Sequence, residues 1–230
     1  MILLVNNERA TSSFHIFTRT KKTNRMLNKY ITLIIFIILG GLTATGQQFH
    51  GGIIAGLAGT QVAGDTYSGY KKAGIFIGGF VSVDAGEKSA FKMELTYFQK
   101  GSRENPTEKN GYRSYLLRLN YIELPVFYQY KAGRFTIEAG PSAGFLMGYY
   151  EEVDQDVISD YPGYNKPARV TFQINLGFSY FVSEKIGVGL RTNNSLMNVF
   201  SANQDGDVWR LWDHGRYNDA LVLSVFYQFR

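Results

Sequence analysis

Apolar residues alternate with polar or small ones from Val170 to Tyr180 in the segment Val170–Phe181, whose sequence is VTFQINLGFSYF. Side chains alternate across a β-strand with a period of two, so this segment predicts one strand with an apolar face and a polar face. At about eleven residues it is longer than the roughly five or six of a typical globular strand. The apolar face must lie against either a protein core or the hydrocarbon of a membrane.

The net charge of +5 is concentrated at one end of the chain. Residues 1–46 contain six of the 24 basic residues and one of the 19 acidic residues, which leaves 18 of each sign in residues 47–230. The remaining chain is therefore neutral, and a nucleic-acid partner is not expected. There is no cysteine, so disulfides, thiolate metal sites and a lipid-modified cysteine are excluded.

Residues 26–46 have the three parts of a secretory signal peptide. A short basic region from Met26 precedes the apolar run Ile31–Leu39, and small residues precede a cleavage point after Gly46. The apolar run is too short to span a bilayer as a helix, which needs about 20 residues. We interpret residues 1–25 as an upstream extension or a misplaced start, and residues 47–230 as one exported domain. A retained signal anchor is the alternative.

The exported domain contains eight candidate strands and no segment with a helical period. The strands are predicted at Phe49–Ala58, Ala73–Asp84, Ala90–Lys100, Tyr112–Lys131, Arg134–Tyr150, Val170–Phe181, Lys185–Asn198 and Ala220–Phe229. Short and long connections alternate between them, so an antiparallel meander collects all long loops at one end. Outer-membrane barrels have this asymmetry, with short periplasmic turns and long external loops. We therefore predict an all-β, eight-stranded antiparallel up-and-down transmembrane β-barrel, with both ends of the domain in the periplasm.

The two faces of the strands differ in the way a membrane barrel requires. One face is bulky and apolar and ends in tyrosines such as Tyr149, Tyr180 and Tyr227, and the other is small or polar. A soluble, lipocalin-like barrel with its apolar face inward is the alternative.

The alternation of the fourth strand changes phase near Pro125, and proline in a strand often marks a bulge. We predict a bulge at 123–125 that turns Glu123 inward.

Three segments resemble a known family. Tyr121–Val126 (YIELPV) followed by Tyr128–Lys131 (YQYK), Glu138–Gly144 (EAGPSAG) and Glu94–Gly101 (ELTYFQKG) are similar to strands of the PorT-like outer-membrane β-barrel proteins of Bacteroidetes. The resemblance covers about residues 47–230 and implies an outer-membrane barrel. It also implies, as an alternative function, an accessory role in type IX-like protein secretion. The chain departs from the usual aromatic C-terminus, because Arg230 follows Phe229.

Charged residues on the polar face predict a network inside the barrel. An eight-stranded barrel has an interior just wide enough to be filled by side chains, and acids and arginines there should pair. The residues expected to point inward and form a structural network are Glu94, Arg118, Glu123, Glu138 and Arg191. A gate or proton path through the same residues is the functional alternative.

Two external loops contain candidate binding residues. The last long loop holds a candidate binding patch of aromatic and basic residues, namely Trp209, Arg210, Trp212, His214 and Arg216. The acidic segment 151–160 lacks the glycine and distal glutamate of an EF-hand, so a solvated loop, bridged to lipopolysaccharide by divalent ions, is favoured over a dedicated cation site.

The residues favour a non-enzymatic protein. A lipid hydrolase with a Ser–His–acid set is a third alternative, but no nucleophile motif surrounds Ser201 near His214. We expect no catalytic residues, metal or cofactor. The expected protein is exported to the bacterial outer membrane, contacts outer-membrane lipid and lipopolysaccharide, and acts as a structural or interaction barrel, with a cell-envelope protein as a candidate partner.

Overall fold

The computed structural model describes residues 48–67, 69–200, 208–211 and 213–229. The segments 1–25 and 26–46 and the candidate patch residue Trp212 lie outside the described residues. Among the residues that are described, no helix is long and apolar enough to cross a membrane. The ordered elements are β1 Phe49–Ala63, β2 Lys72–Asp84, β3 Ser89–Glu104, β4 Tyr115–Ala132, β5 Phe135–Val153, β6 Asp156–Val157, β7 Val170–Phe181, β8 Ile186–Ser195, β9 Val208–Arg210, β10 Asp213–Gly215 and β11 Tyr217–Gln228.

Eight long strands form one closed barrel, as predicted. The order around the barrel is β4-β3-β2-β1-β11-β8-β7-β5, and the pairing of β4 with β5 closes the circle. Every pairing is antiparallel. Closure gives every strand two hydrogen-bonded neighbours, so no strand edge is left open, as spanning a bilayer requires. The short strand β6 extends β5, and β9 and β10 form a small hairpin in the last loop.

The apolar face of the strands points outward. Along β7, Leu176 is 59% exposed whereas its neighbour Asn175 is 2% exposed, and the same alternation runs through the whole strand. A soluble barrel would have the opposite arrangement, because exposed apolar surface is unfavourable in water. The described strands therefore exclude the lipocalin-like alternative.

The connections are sorted by length between the two ends of the barrel. Three tight turns, at 85–88, 133–134 and 182–185, lie at one end, where β1 starts and β11 stops. The longer connections, at 64–71, 105–114, 154–169 and 196–216, lie at the other end. In outer-membrane barrels the long loops are external. We refer below to the turn end as the periplasmic end and to the loop end as the mouth.

The predicted bulge near Pro125 is wrong. β4 alternates without interruption, and Glu123 and Pro125 both face the lumen, with Pro125 in regular register opposite Ser142. The irregularity lies between β4 and β5, where Asn120 pairs with Gly148 and Tyr121 pairs with Leu146, so that Met147 is the extra residue. An extra residue reverses the alternation that follows it, and Tyr149 consequently faces inward rather than outward.

Two apolar clusters fill the lumen above and beside its polar residues. One cluster lies against β1, β2 and β11 and comprises Ile54, Ala58, Phe76, Phe80, Phe98, Ala220, Val222 and Phe226. The other, which we call the mouth cluster, lies under the external loops and comprises Val62, Tyr115, Leu117, Leu119, Tyr121, Val199 and Phe200. Burial of these side chains stabilises the barrel by the hydrophobic effect.

Candidate functional site

Four charged side chains form a compact group in the lumen, which we call the ion cluster: Lys92, Glu94, Glu138 and Arg191. The Arg191 guanidinium donates to both carboxylate oxygens of Glu94, at 2.7 and 2.8 Å, and to Glu138 Oε1 at 2.7 Å. Lys92 Nζ lies 2.8 Å from Glu94 Oε1 and 2.5 Å from Glu138 Oε2. The two cations and two carboxylates balance, so the cluster is neutral as a whole.

The Arg191–Glu94 pair crosses the full width of the lumen. Arg191 is on β8 and Glu94 is on β3, and these strands lie four positions apart in either direction around the eight-stranded ring. The guanidinium also stacks over the ring of Phe127, 4.4 Å from its centroid. A bidentate Arg–carboxylate pair is among the strongest and most directional of protein hydrogen-bonded pairs. The pair therefore braces opposite walls of the barrel.

A second bridge lies nearer the mouth, and we call it the amide layer: Lys100, Glu123, Asn175 and Asn193. Lys100 Nζ donates to Glu123 Oε1 and to Asn193 Oδ1, and the Asn193 amide donates to Glu123 Oε2 at 3.1 Å and to Asn175 Oδ1 at 2.7 Å. All four side chains are at most 2% exposed. Like the ion cluster, this layer joins β3 to the opposite strand β8.

The structure places four of the five residues of the predicted lumen network inside the barrel. Glu94, Glu123, Glu138 and Arg191 are buried inside the barrel, and each is paired. The predicted network does not include Lys92 and Lys100, although both share the inward parity of Glu94 on β3. That parity is the signal that identifies them, even though lysine is rarely buried.

Arg118 was predicted inside the barrel and lies outside it. Its side chain is exposed on the outer wall of β4, with the guanidinium 6.0 Å from the centroid of the Tyr150 ring. The prediction assumed that apolar residues of β4 face lipid along its whole length. Near the mouth, Leu117, Leu119 and Tyr121 instead face inward and form the mouth cluster, so the polar residues between them face out.

The acidic loop is anchored to the barrel through Glu151. The Glu151 carboxylate accepts hydrogen bonds from the Tyr115 hydroxyl, at 2.7 Å, and from the Tyr164 hydroxyl. Burial, together with the neighbouring Glu151, raises the pKa of the Tyr164 hydroxyl well above its ordinary value. Glu151 therefore serves as an acceptor for two phenols. Within the described residues, no group of His, Cys, Asp and Glu is arranged to hold a metal ion.

The candidate loop patch divides into an exposed part and a buried part. Trp209 on β9 lies directly opposite His214 on β10, their rings 4.9 Å apart, and Trp209 is 59% exposed. Arg210 points the other way and forms a bidentate pair with Asp219 at 2.6 and 2.7 Å. Arg216 packs over the Phe200 ring in the mouth cluster. Trp209 and His214 thus remain as a surface pair, whereas Arg210 and Arg216 hold the loop on the barrel.

A cavity of about 110 Å³ enters the lumen at the periplasmic end. Phe80, Phe181 and Phe226 form one side of it, and the Phe226 ring makes edge-to-face contact with each of the other two. Lys92 of the ion cluster also lines the cavity, so the cluster closes it from above. The Lys131 ammonium at its rim is paired with Asp84.

Solved structures that this chain resembles include three bacterial barrels. Ail, the attachment invasion locus protein of Yersinia pestis, solved in complex with the heparin analogue sucrose octasulfate, has 9% identity and a TM-score of 0.46 over 79% of this chain and 99% of that one. Neisserial surface protein A has 12% identity and a TM-score of 0.42 over 80% and 100%. The outer membrane protein OprG of Pseudomonas aeruginosa has 12% identity and a TM-score of 0.37 over 80% and 95%.

No curated protein matches the chain in sequence. A protein family does match it: the outer membrane protein beta-barrel domain, over residues 40–201, which is more than half of the chain. The match agrees with the closed barrel, its apolar outer face and the sorting of its loops. The chain therefore belongs to the outer membrane protein beta-barrel domain family and is an outer-membrane β-barrel.

Proposed function

We propose that this protein is a small non-enzymatic barrel that acts through contacts made by its external loops. The observation that carries the proposal is the Arg191–Glu94 pair, which spans the lumen between opposite strands. We infer that a lumen bridged in this way does not let solutes pass at the level of the ion cluster. The protein then acts through the two ends of the barrel. Export by the signal peptide at 26–46, and contacts with outer-membrane lipid and lipopolysaccharide, are part of the proposal.

The mouth is the better candidate for a partner surface. The β9–β10 hairpin presents Trp209 and His214 side by side, while the Arg210–Asp219 pair holds the base of the hairpin against the barrel. Aromatic side chains held on a fixed support are typical of interaction sites, because they bury large areas at low entropic cost. A cell-envelope protein is the proposed partner of this pair.

A photo-cross-linking experiment in cells tests the proposal. A photoreactive residue in place of Trp209 should give a discrete adduct, and the same residue in place of Arg134, in a periplasmic turn, should give none. Adducts at Arg134 alone would contradict an interaction at the mouth. They would favour the alternative implied by the resemblance to PorT-like proteins of Bacteroidetes, an accessory role in secretion, and deletion should then reduce secretion of surface proteins.

Two further measurements test the sealed lumen and the absence of catalysis. Purified barrel in planar bilayers should add no stepwise ion conductance, because the ion cluster blocks the lumen. Regular conductance steps from the wild-type protein would refute the sealed lumen.

Replacement of His214 by alanine should leave the lipid A profile of the cell unchanged, and an altered profile would instead support the lipid-hydrolase alternative.

A further inference from the structure

The mouth end of β2, β3 and β4 carries three cations that no carboxylate neutralises. Lys72 has the inward parity of β2 and is 3% exposed, and the hydrogen bond that its ammonium donates within the described residues goes to the Ala73 carbonyl, at 3.4 Å. Among the described residues, no carboxylate lies within ion-pair distance of Lys72, Arg103 or Arg118. We call these three residues the wall cations. A buried ammonium without a counter-ion is unfavourable, because desolvation penalises the charge.

The wall cations surround one glycine. Gly101 lies directly opposite Arg118 in the β3–β4 ladder, and Arg103 is two residues further along the same strand. The aliphatic stem of Lys72 passes beside Gly101, where a Cβ atom would come within 3.3 Å of Lys72 Cδ. The charges of Arg118 and Arg103 act on the Lys72 ammonium. Three like charges are thus held close to one another where the β3 and β4 backbones approach at Gly101, and they repel one another.

Two neighbouring carboxylates have partners elsewhere. Glu104, next to Arg103 in sequence, pairs with Lys71, and Glu152 accepts a hydrogen bond from the Tyr150 hydroxyl. The Arg118 guanidinium lies 6.0 Å from the centroid of the Tyr150 ring, and the Arg118 side chain is exposed. The guanidinium donors of Arg103 and Arg118 match the geometry of a phosphate, which guanidinium groups bind in bidentate fashion.

The height of the wall cations along the barrel axis indicates which phosphate groups they can contact. On the outer face of β4, Arg118 is ten residues from Tyr128. At about 3.4 Å per residue and a strand tilt near 40°, this distance corresponds to roughly 25 Å along the barrel axis. The apolar band of an outer-membrane barrel is also about 25 Å tall. Arg118 therefore stands where the phosphate groups of the outer leaflet begin.

We propose that Lys72, Arg103 and Arg118 form a binding site on the outer wall for the phosphate group of an outer-leaflet lipid. The exposed guanidinium groups of Arg103 and Arg118 contact the phosphate, and Lys72 supplies the positive field behind them. The site is independent of the loop partner, because none of its residues belongs to the β9–β10 hairpin.

The test uses the full mature barrel folded in detergent and titrated with lipid A, with native mass spectrometry to measure the fraction that carries lipid. The double variant R103Q/R118Q should weaken retention by about tenfold or more, the effect of losing charge-assisted hydrogen bonds. R134Q removes one positive charge at an exposed periplasmic position and should retain lipid A like the wild type. Equal retention by R103Q/R118Q and the wild type would overturn the site.

Two probes separate the lipid from other anions. Lipid A stripped of its phosphates should not bind, and equal binding of the stripped lipid would overturn the role of the phosphate. Inorganic phosphate at millimolar concentration should not displace lipid A, because it lacks the acyl chains. Displacement would show that the site takes free phosphate and would overturn the lipid assignment.

Lys72 provides a check that does not depend on lipid retention alone. Lys72→Met removes a buried charge without a partner, so the lipid-free barrel should unfold at a higher temperature than the wild type. The same variant should gain less thermal stability from added lipid A. A lower unfolding temperature together with an unchanged gain from lipid A would show that Lys72 is satisfied within the barrel, and would overturn its part in the site.

Discussion

The charges inside this barrel and the charges on its outer wall follow opposite rules. In the ion cluster of the lumen, Arg191 and Lys92 face Glu94 and Glu138, and each of these four charges has a partner at hydrogen-bond distance. At the mouth end of the outer wall, Arg103 and Arg118 are exposed and have no carboxylate partner among the described residues. The charged groups of the ion cluster pair with one another, whereas the guanidinium donors of Arg103 and Arg118 remain available to the surroundings of the outer wall.

The difference shows which charges hold the barrel together and which serve contact with its environment. A buried charge without a partner destabilises a fold by several kcal/mol (about 3–5), so the four charges of the ion cluster occur as a balanced set. An exposed arginine carries no such penalty, because water or a lipid head group solvates it. Substitutions that are alike in chemistry should therefore have very different effects at the two places.

The largest contrast is expected between Arg191→Ala and Arg118→Ala. Loss of Arg191 leaves Glu94 and Glu138 with one cation, Lys92, and should lower the free energy of unfolding by about 3–5 kcal/mol. Loss of Arg118 should change it by less than about 0.5 kcal/mol, as for most surface substitutions. Urea titration of the refolded barrel, followed by the gel shift between boiled and unboiled samples, measures both. Similar losses for the two variants would break the comparison.

A double replacement sharpens the comparison within the amide layer. Lys100→Met alone strands the Glu123 carboxylate in the lumen and should destabilise the barrel by about 3 kcal/mol. The pair K100M/E123M removes both charges and should recover most of that loss, because apolar side chains of similar volume often replace a buried ion pair at little cost. Unfolding free energies of the three proteins test this. A double variant weaker than the single one would show that the hydrogen bond from Asn193 to Glu123 matters more than the charge pair with Lys100.

Two adjacent glycines test how tightly the lumen side of the wall is packed. A Cβ at Gly52 would lie 2.2 Å from Phe80 Cζ and 2.5 Å from the Tyr227 carbonyl oxygen, whereas the nearest atom to a Cβ at Gly51 is 3.6 Å away. Gly52→Ala should therefore destabilise the barrel by about 1–3 kcal/mol through overpacking. Gly51→Ala is the matched control, and thermal unfolding should show little change. Equal effects would mean that the Phe80 ring moves aside freely.

The smallest effect is expected from pH at Asp65 in the first external loop. Burial raises the pKa of the Asp65 carboxyl above its ordinary value, although the positive charge of Arg216 opposes the shift. A raised pKa means that folding favours the protonated form, so the contribution of this group to stability is lost as pH rises through the folded-state pKa. Asp65→Asn should stabilise the barrel slightly at pH 7 and make no difference near pH 3. Measurement of the unfolding temperatures of the variant and the wild type at pH 7 and pH 3 checks this. The same difference between the two proteins at both pH values would contradict the prediction.

The strand pattern was enough to predict the barrel and most of its lumen charges. Period-two alternation fixes which residues share a face, so Glu94, Glu138 and Arg191 were placed correctly without any knowledge of their partners. Lys92 and Lys100 have the same parity as Glu94. The same pattern therefore also places these two lysines on the inward face, although the predicted network did not include them.

The errors lie where the surroundings of the wall change along a strand. Arg118 was placed inside because apolar residues of β4 were assumed to face lipid from end to end. Above the lipid, apolar residues of the strand face inward instead, because the outer wall is in water there and the loops cover the lumen. The bulge at Met147 was missed because an inserted residue in β5 leaves no mark as strong as the proline at 125, which needed no bulge.

The bridge from Glu94 to Arg191 also constrains the order in which the barrel assembles. These partners are 97 residues apart in sequence, and the carboxylate enters the sheet four barrel strands before β8 supplies the guanidinium. Until β8 arrives, Glu94 has only Lys92 nearby and needs water as a solvent. We therefore expect the lumen to stay hydrated through most of folding and to lose its water in one late step, when β8 and β11 close the circle. Variants at Arg191 that fold slowly should accumulate as open intermediates with a water-filled lumen.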